Sequence, residues 1–174
     1  MTVEVGNTER LEIDAMVARA RAAMRAVEHF DQQCVDRLCQ ALAWATANEK
    51  TFGRIVRMSI EESGLGDPEG RNQKRMKITG VLRDALRQKS IGIIEEIPEK
   101  GIVKYGKPAG VIASLVPTTN PELTPPYTGI YALKCLDAVI FSPHPRSRRT
   151  TFEMVRVMRE AMRRQDAFQQ IRKA

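Results

Sequence analysis

Apolar and polar positions alternate with a helical period through the first half of the chain. The spacing predicts a first amphipathic helix, a second capped by Asp31 and a third that ends at Gly64. A fourth follows, with Asp67 as its cap and Pro68 at its first position. The residues predicted to be buried are Ile13, Val17, Ala20, Met24 and Val27; Val35, Leu38, Leu42 and Ala45; Phe52, Ile55, Val56 and Ile60; and Met76, Val81, Leu82, Ala85 and Leu86.

The pattern changes after Lys89. Residues 90–109 are rich in Ile and Val and are broken by Pro and Gly, which predicts two or three short strands. Beyond them, "GVIASLVP" (110–117) and "DAVIFSP" (137–143) are typical of strands buried on both faces. "PPYTGIYALKCL" (125–136) and "RTTFEMVRVMREAMRRQ" (149–165) are typical of helices. This order predicts an α/β fold with a helical N-terminal half, short β-strands and two βα units of a parallel sheet.

Two polar, proline-rich loops follow the two predicted strands of this sheet. They are "PTTNP" (117–121) and "SPHPRS" (142–147). Parallel sheets bind ligands beyond the carboxyl ends of their strands, so both loops are candidate binding loops. The first loop is equally compatible with a plain turn in which Thr119 or Asn120 caps the next helix and Pro121 or Pro125 lies near its start. His144, between two prolines, is equally compatible with a rigid turn.

Composition narrows the class of protein. The chain has 174 residues and 43% hydrophobic content, which is enough for a globular core. It has neither a long apolar run nor a signal-peptide pattern at its start, so we expect a cytoplasmic protein that does not bind membranes. Its cysteines, Cys34, Cys39 and Cys135, are odd in number and lack zinc-site spacing. We therefore expect reduced, buried thiols and no metal site.

The net charge of +7 comes almost entirely from the last segment. Residues 146–174 carry nine Lys/Arg and three Asp/Glu, which leaves the preceding residues close to neutral. A basic helix is typical of proteins that bind nucleic acid. Here, however, the arginines alternate with Phe152, Val155, Met158 and Met162 at helical spacing, which favours a solvated helix face over a sheet. We therefore expect no nucleic-acid partner.

Two stretches carry a family resemblance: "GIVKYGKPAGVIASLVPTTNP" (101–121) and "ALKCLDAVIFSPHPRS" (132–147). Together they resemble the coenzyme-A-acylating branch of the aldehyde dehydrogenase superfamily, and the match extends over nearly all of residues 10–165. The resemblance implies a Rossmann-like cofactor domain of which only part is present. On this basis residues 1–90 are its helical part, 91–109 short strands of oligomerisation type, and 110–174 a partial βαβα segment.

The family resemblance also implies the chemistry. In that family a cysteine thiolate attacks an aldehyde, hydride passes to NAD, and the thioester is transferred to coenzyme A. By this resemblance Asn120 is the candidate oxyanion donor, with Thr118 and Thr119 beside the cofactor. An ungapped alignment to the "PWNFP" loop of non-acylating relatives would instead place their asparagine at Thr119. The second loop corresponds to the adenosine site, which assigns cofactor contacts to Ser142, Pro143, His144 and Pro145.

The resemblance also defines what these 174 residues lack. Family members are much longer, and their glycine-containing phosphate turn, nucleophilic cysteine and remaining catalytic domain lie beyond the matching region. None of the three cysteines fits the nucleophile, and residues 163–174 depart from the family pattern. The expectation is a truncated NAD-dependent, coenzyme-A-acylating aldehyde dehydrogenase, inactive alone and prone to self-association through residues 91–107. The alternative is a noncatalytic subunit that pairs with a complete homologue.

Overall fold

The computed structural model describes residues 6–173 and the side chains of residues 6–164. The helix ends predicted at Asp31, Gly64 and Asp67 are confirmed, whereas the single helix predicted to follow Asp67 is divided at Lys74 into two. The Asp31 carboxylate accepts a hydrogen bond from the Cys34 N–H (2.7 Å), Asp67 accepts one from the Gly70 N–H (2.7 Å), and Gly64 is left-handed with φ 70°. The helices are α1 (Asn7–Val27), α2 (Gln32–Ala47), α3 (Glu49–Ser63), α4 (Pro68–Gln73), α5 (Arg75–Leu86), α6 (Thr124–Lys134) and α7 (Arg148–Lys173).

Four strands form two separate two-stranded sheets in the described chain. Strands β1 (Gly92–Ile97) and β2 (Ile102–Gly106) pair antiparallel as a hairpin. Strands β3 (Val111–Val116) and β4 (Ala138–Pro143) pair parallel, with Val111 beside Ala138 and Val116 beside Pro143. The crossover between β3 and β4 contains α6, so the predicted strand–helix–strand–helix order is confirmed.

The core forms around α2, which packs against α3, α5, α6 and α7. Helices α1 and α6 each contact both strands of the parallel sheet. Burial of this continuous apolar cluster is the main favourable contribution to folding. Its fully buried members are Val35, Cys39, Leu42, Ala43, Phe52, Ile55, Val56, Ile78, Ala85, Leu123, Ile130, Leu136, Met154 and Met158.

Several residues predicted to be buried are exposed instead. Ile13 is 51% exposed because only the later turns of α1 lie over the sheet. No residue of α1 is fully buried. Met76 is 62% exposed, whereas Ile78, two positions further along α5, is fully buried. Phe152 is 71% exposed, and Met154 on the neighbouring face of α7 is buried.

Strand β3 is not buried on both faces as predicted. Ser114 and Val116 are buried, whereas Ala113 is exposed and Leu115 is 80% exposed. The inner face packs under α6. The outer face at the carboxyl end of the strand has no helix over it in the described chain. The apolar run therefore correctly predicted the strand, but it did not show which face would be covered.

The hairpin carries exposed apolar side chains, namely Ile94, Ile102, Val103 and Tyr105. These lie within the segment 91–107 that was expected to mediate self-association, which stays a prediction. The terminal segment 163–174 continues α7 as far as Lys173, and its side chains from Gln165 onward lie outside the described residues. Within the described chain, no helix combines the length and apolar character needed to cross a bilayer.

Candidate functional site

The two proline-rich loops meet at one edge of the parallel sheet. Because β3 and β4 run in the same direction with Val116 beside Pro143, the segments that follow them leave the sheet together. The His144 N–H donates to the Val116 carbonyl across 3.0 Å, which joins the start of the second loop to the end of β3. The structure thus brings both predicted groups of site residues to the same place.

The side-chain amide of Asn120 is held in one orientation. Its Oδ1 accepts a hydrogen bond from Lys74 Nζ at 3.0 Å, and Lys74 lies at the junction between α4 and α5. Its Nδ2 makes only a long contact of 3.5 Å with the Thr119 hydroxyl. Because an ammonium can only donate, the amide oxygen must face Lys74 and the amide N–H groups must face the other way. The Asn120 N–H groups remain available as donors.

Neither Thr119 nor Asn120 caps the following helix with its side chain, so that interpretation of the loop is wrong. Helix α6 has Leu123 as its N-cap and no side-chain cap. The backbone carbonyl of Asn120 does accept from the N–H groups of Leu123 (3.2 Å) and Thr124 (3.0 Å). The prolines near the helix start are confirmed, with Pro125 in its first turn. The loop backbone therefore accepts hydrogen bonds from the start of α6, whereas the Asn120 side chain does not.

The neighbouring threonines differ in environment. Thr119 is exposed, whereas the Oγ1 atom of the half-buried Thr118 is inaccessible to solvent and has no hydrogen-bond partner among the described residues. A buried hydroxyl without a partner costs free energy. Thr118 therefore has hydrogen-bonding capacity that the described chain leaves unused.

A buried ionic cluster lies directly behind the loop, and the sequence analysis missed it. Glu122 is fully buried, and its carboxylate accepts from Arg71 Nη1 (2.8 Å) and from the Ser59 hydroxyl (3.2 Å). Arg71, only 4% exposed, also donates to Ser59 Oγ at 2.6 Å. The cluster joins α3, α4 and the loop end. A usable signal was the single acidic residue in "PTTNPELTPP", an otherwise uncharged segment between two buried elements.

The second loop forms a tight turn. His144 Nδ1 accepts from the Arg146 N–H at 3.1 Å and begins a short 3-10 helix, Pro145–Ser147. Arg146 donates to the Ser63 carbonyl at 2.6 Å. Ser142 and Pro145 are exposed, and Pro143 is half-buried. The geometry supports the rigid-turn interpretation of His144.

The start of α7 is occupied by an acidic side chain from α3. The Glu62 carboxylate accepts from the N–H groups of Arg149 and Thr150 and from the Thr150 hydroxyl, each at 2.8 Å. Partial burial raises the pKa of Glu62, but these hydrogen bonds and the nearby Arg149 charge outweigh it, so the pKa is lowered overall. These free N–H groups at the helix end are thus satisfied by hydrogen bonds to Glu62.

Glu62→Gln is expected to lower the free energy of unfolding at pH 7 by about 1 kcal/mol, the usual cost of losing a helix cap. Because the folded-state pKa of Glu62 is depressed, its contribution is present above the unfolded pKa and is lost as the pH falls through the folded value. The difference between Glu62→Gln and the unsubstituted chain should therefore shrink below about pH 4. Urea unfolding at pH 7 and pH 3 measures this, with exposed Glu61→Gln as the control. An equal difference at both pH values would contradict the assignment.

A cavity of about 540 Å³ adjoins the second loop. It lies between α3 and the first turns of α7 and contains the exposed ring of Phe152. Within the described chain, neither Arg148 nor Arg149 forms an ion pair, whereas the Glu153 carboxylate is held by Arg54 and Arg156. The cavity therefore combines an apolar surface with two arginines that form no salt bridge within the described residues, of which Arg149 lies near the Glu62 carboxylate. Its lining residues are Met58, Pro143, Arg148, Arg149, Phe152 and Glu153.

A larger cavity of about 630 Å³ lies elsewhere, between α5, the hairpin and α6. Tyr105, Tyr131 and Cys135 line it, and none of the predicted site residues does. No group of three or more His, Cys, Asp or Glu side chains within the described residues is arranged to hold a metal ion.

The cysteines have the environment of structural thiols. Cys34 and Cys39 are buried in α2 as expected, whereas Cys135, the C-cap of α6, is only half-buried. Burial raises the pKa of Cys39 to about 12, and burial followed by the Asp137 charge raises the pKa of Cys135. A thiol with a raised pKa is a poor nucleophile at neutral pH. The structure therefore supports the inference that neither Cys39 nor Cys135 is the family's nucleophile.

Comparison with known proteins shows what this arrangement is similar to. No family model matches the chain. It is 40% identical over 149 residues to a sulfoacetaldehyde dehydrogenase of Acholeplasma, covering 85% of this chain and 31% of that protein. It is 36% identical over 146 residues to the acylating sulfoacetaldehyde dehydrogenase of Bilophila wadsworthia, covering 83% and 32%. By sequence the chain therefore resembles part of an acylating aldehyde dehydrogenase.

Solved structures of this family have the same fold. A probable aldehyde dehydrogenase from Listeria monocytogenes superposes with a TM-score of 0.84 at 28% identity, covering 89% of this chain and 34% of that one. A Rhodopseudomonas palustris propionaldehyde dehydrogenase, solved with bound CoA and an acylated cysteine, gives 0.71 at 26% identity, covering 88% and 35%. The chain thus spans about a third of the length of these relatives. The resemblance to part of an acylating aldehyde dehydrogenase, in sequence and in fold, is confirmed.

Proposed function

We propose that the chain supplies part of the active site of a coenzyme-A-acylating, NAD-dependent aldehyde dehydrogenase. The observation that carries this proposal is the convergence of the two loops at the carboxyl edge of the parallel sheet, joined by the hydrogen bond from His144 to Val116. That edge is where open α/β sheets bind ligands. The reaction class follows the acylating relatives and the CoA-bound structure. The cytoplasmic location expected from the sequence belongs to the same proposal.

In this proposal Asn120 is the oxyanion donor. Lys74 holds the amide oxygen, so the Nδ2 hydrogens face away from Lys74 and can donate to the oxygen of an aldehyde carbonyl as negative charge develops on it. Thr119 is exposed and carries a hydroxyl that nothing orients except the long Asn120 contact. The geometry therefore favours Asn120 over Thr119. The nucleophilic thiolate, when present, would come from outside these 174 residues.

The second loop, in the same proposal, contributes one wall of the dinucleotide site. Ser142 and His144 present polar groups, and Pro143 and Pro145 keep the turn rigid. The adjoining cavity offers Phe152 for a flat base, and Arg148 and Arg149 for phosphate. Coenzyme A carries both groups, as does NAD. A noncatalytic subunit pairing with a complete homologue is the less favoured alternative, since the relatives that the chain resembles are named as dehydrogenases.

Coenzyme A and NAD are expected to bind this chain weakly. One wall of a site leaves most of a nucleotide in water, so we expect a dissociation constant in the millimolar range, about 4 kcal/mol. NMR of the ¹⁵N-labelled chain should show saturable shifts at residues 142–149. Arg149→Gln should weaken CoA binding about fivefold, whereas Arg159→Gln, an exposed arginine of the same helix outside the cavity, should not.

The nucleotide experiment has two informative failures. Shifts confined to the cavity around Tyr105 and Tyr131 would place the nucleotide away from the loops and contradict the proposed site. No saturable shift at 142–149 would contradict it as well. Micromolar binding would show that the described loops form most of the site rather than one wall of it.

A further inference from the structure

Lys74 is a half-buried cation without a carboxylate partner. Its Nζ donates to Asn120 Oδ1 at 3.0 Å, and within the described residues no acidic group lies within ion-pair distance. The buried cations of the fold are different, since Arg71 is paired with Glu122 and Lys134 with Asp36. Keeping a charge partly away from water without a counter-ion is unfavourable. An anion that completes this environment would remove that cost.

The position of Lys74 relates this charge to the proposed reaction. An ammonium has three N–H donors, and Asn120 accepts only one of them. If Asn120 Nδ2 donates to an aldehyde oxygen, the ammonium lies at the opposite end of the same amide. The distance from Lys74 Nζ to the aldehyde oxygen is then two hydrogen-bond lengths plus the width of the amide, at most about 8 Å. An anionic group one or two carbons from the carbonyl could therefore come within reach of the remaining Lys74 donors.

We propose that Lys74 makes this site selective for short aldehydes that carry an anionic group of the sulfonate class. The inference rests on the proposed function, because it takes Asn120 as the group that meets the carbonyl. Two relatives of this chain are named for sulfoacetaldehyde, a two-carbon aldehyde with a sulfonate. Lys74 thereby has two roles: it orients the Asn120 amide and supplies positive charge to the distal end of the substrate.

The test uses isethionate, the stable 2-hydroxyethanesulfonate ion, with the ¹⁵N-labelled 174-residue chain at fixed ionic strength. Isethionate should shift the amide signals of residues 118–121 and of the Asn120 side chain in a saturable manner, with a millimolar dissociation constant. Ethylene glycol, which lacks the sulfonate, should not. Lys74→Gln should weaken isethionate binding about fivefold, and Lys74→Arg, which keeps the charge, should weaken it less than about twofold.

The matched control is Lys77→Gln, which removes an exposed lysine of the neighbouring turn. Unchanged isethionate binding in Lys77→Gln supports the proposal. Equal isethionate binding in Lys74→Gln and the unsubstituted chain would overturn it, as would equal shifts with ethylene glycol. Should Lys74→Gln fail to fold, the comparison of isethionate with ethylene glycol on the unsubstituted chain still decides whether the site requires a sulfonate.

Failure of this inference can be separated from failure of the proposed function. Coenzyme A is read out at residues 142–149, on the second loop, and isethionate at residues 118–121, on the first. Loss of the isethionate effect with normal CoA shifts would remove the role of Lys74 and leave the proposed function standing. Absent CoA shifts would count against the proposed function whatever isethionate does.

Discussion

Glu122→Ala is expected to lower the free energy of unfolding by about 3–5 kcal/mol, the cost of breaking a buried ion pair from one side. The Glu122 carboxylate is fully buried, and Arg71 opposite it is 4% exposed. Removing the carboxylate leaves a buried guanidinium with only the Ser59 hydroxyl as a described partner. Because small domains have a total stability of about 5–15 kcal/mol, this loss would unfold a marginal chain. Urea or thermal unfolding followed by circular dichroism measures it.

Two comparisons make the Glu122 result interpretable. Glu160→Ala removes an exposed carboxylate of α7 that pairs with Arg156 and Arg164, and it should cost at most about 1 kcal/mol. The double substitution Arg71→Met with Glu122→Leu removes both charges and should recover much of the loss. A Glu122→Ala effect no larger than that of Glu160→Ala would show that the cluster does not anchor the loop.

The 174-residue chain alone is expected to show no aldehyde dehydrogenase turnover. Asn120 can stabilise an oxyanion only as a nucleophile attacks the aldehyde, and the thiols of Cys39 and Cys135 are unsuited to that step. Burial raises the pKa of Cys39 to about 12, so its thiol stays protonated at pH 7. Cys135 is more accessible, but its pKa is also raised by burial. The covalent step is therefore missing.

The activity assay mixes purified chain with sulfoacetaldehyde or acetaldehyde, NAD and coenzyme A, and follows NADH by absorbance. A complete acylating aldehyde dehydrogenase serves as the positive control. NADH formation by the chain that disappears in Cys135→Ser would overturn the prediction and make Cys135 a nucleophile. NADH formation that survives replacement of all three cysteines would indicate a contaminating enzyme.

The elements of the fold were largely predictable because local chemistry determines them. Asp31, Gly64, Asp67 and Pro68 act at helix ends through their own backbones and short side chains, so their effect is visible in sequence. The strand–helix alternation after residue 110 likewise follows from apolar runs and proline-rich turns. The assignment of both loops to one edge followed from parallel pairing, which places the carboxyl ends of neighbouring strands together.

Burial was less predictable because it depends on which elements cover a given face. Ile13, Met76, Leu115 and Phe152 satisfy their apolar patterns, yet each is more than half exposed. Periodicity identifies the apolar face of a helix or strand. It does not show how far a neighbouring element extends along that face.

The family resemblance, the order of elements and the two loops could be predicted from the sequence, since these depend on motifs and on interactions between near neighbours in the chain. The contacts by which Lys74 orients Asn120, Arg71 neutralises Glu122 and Ser59 donates a hydrogen bond to Glu122 were visible only in the tertiary structure. Those partners are separated by 46, 51 and 63 positions, and no local pattern links them. They meet because α2 and α6 pack into one core, which brings α3, α4 and the loop after β3 together. Long-range packing therefore decided the electrostatics of the site.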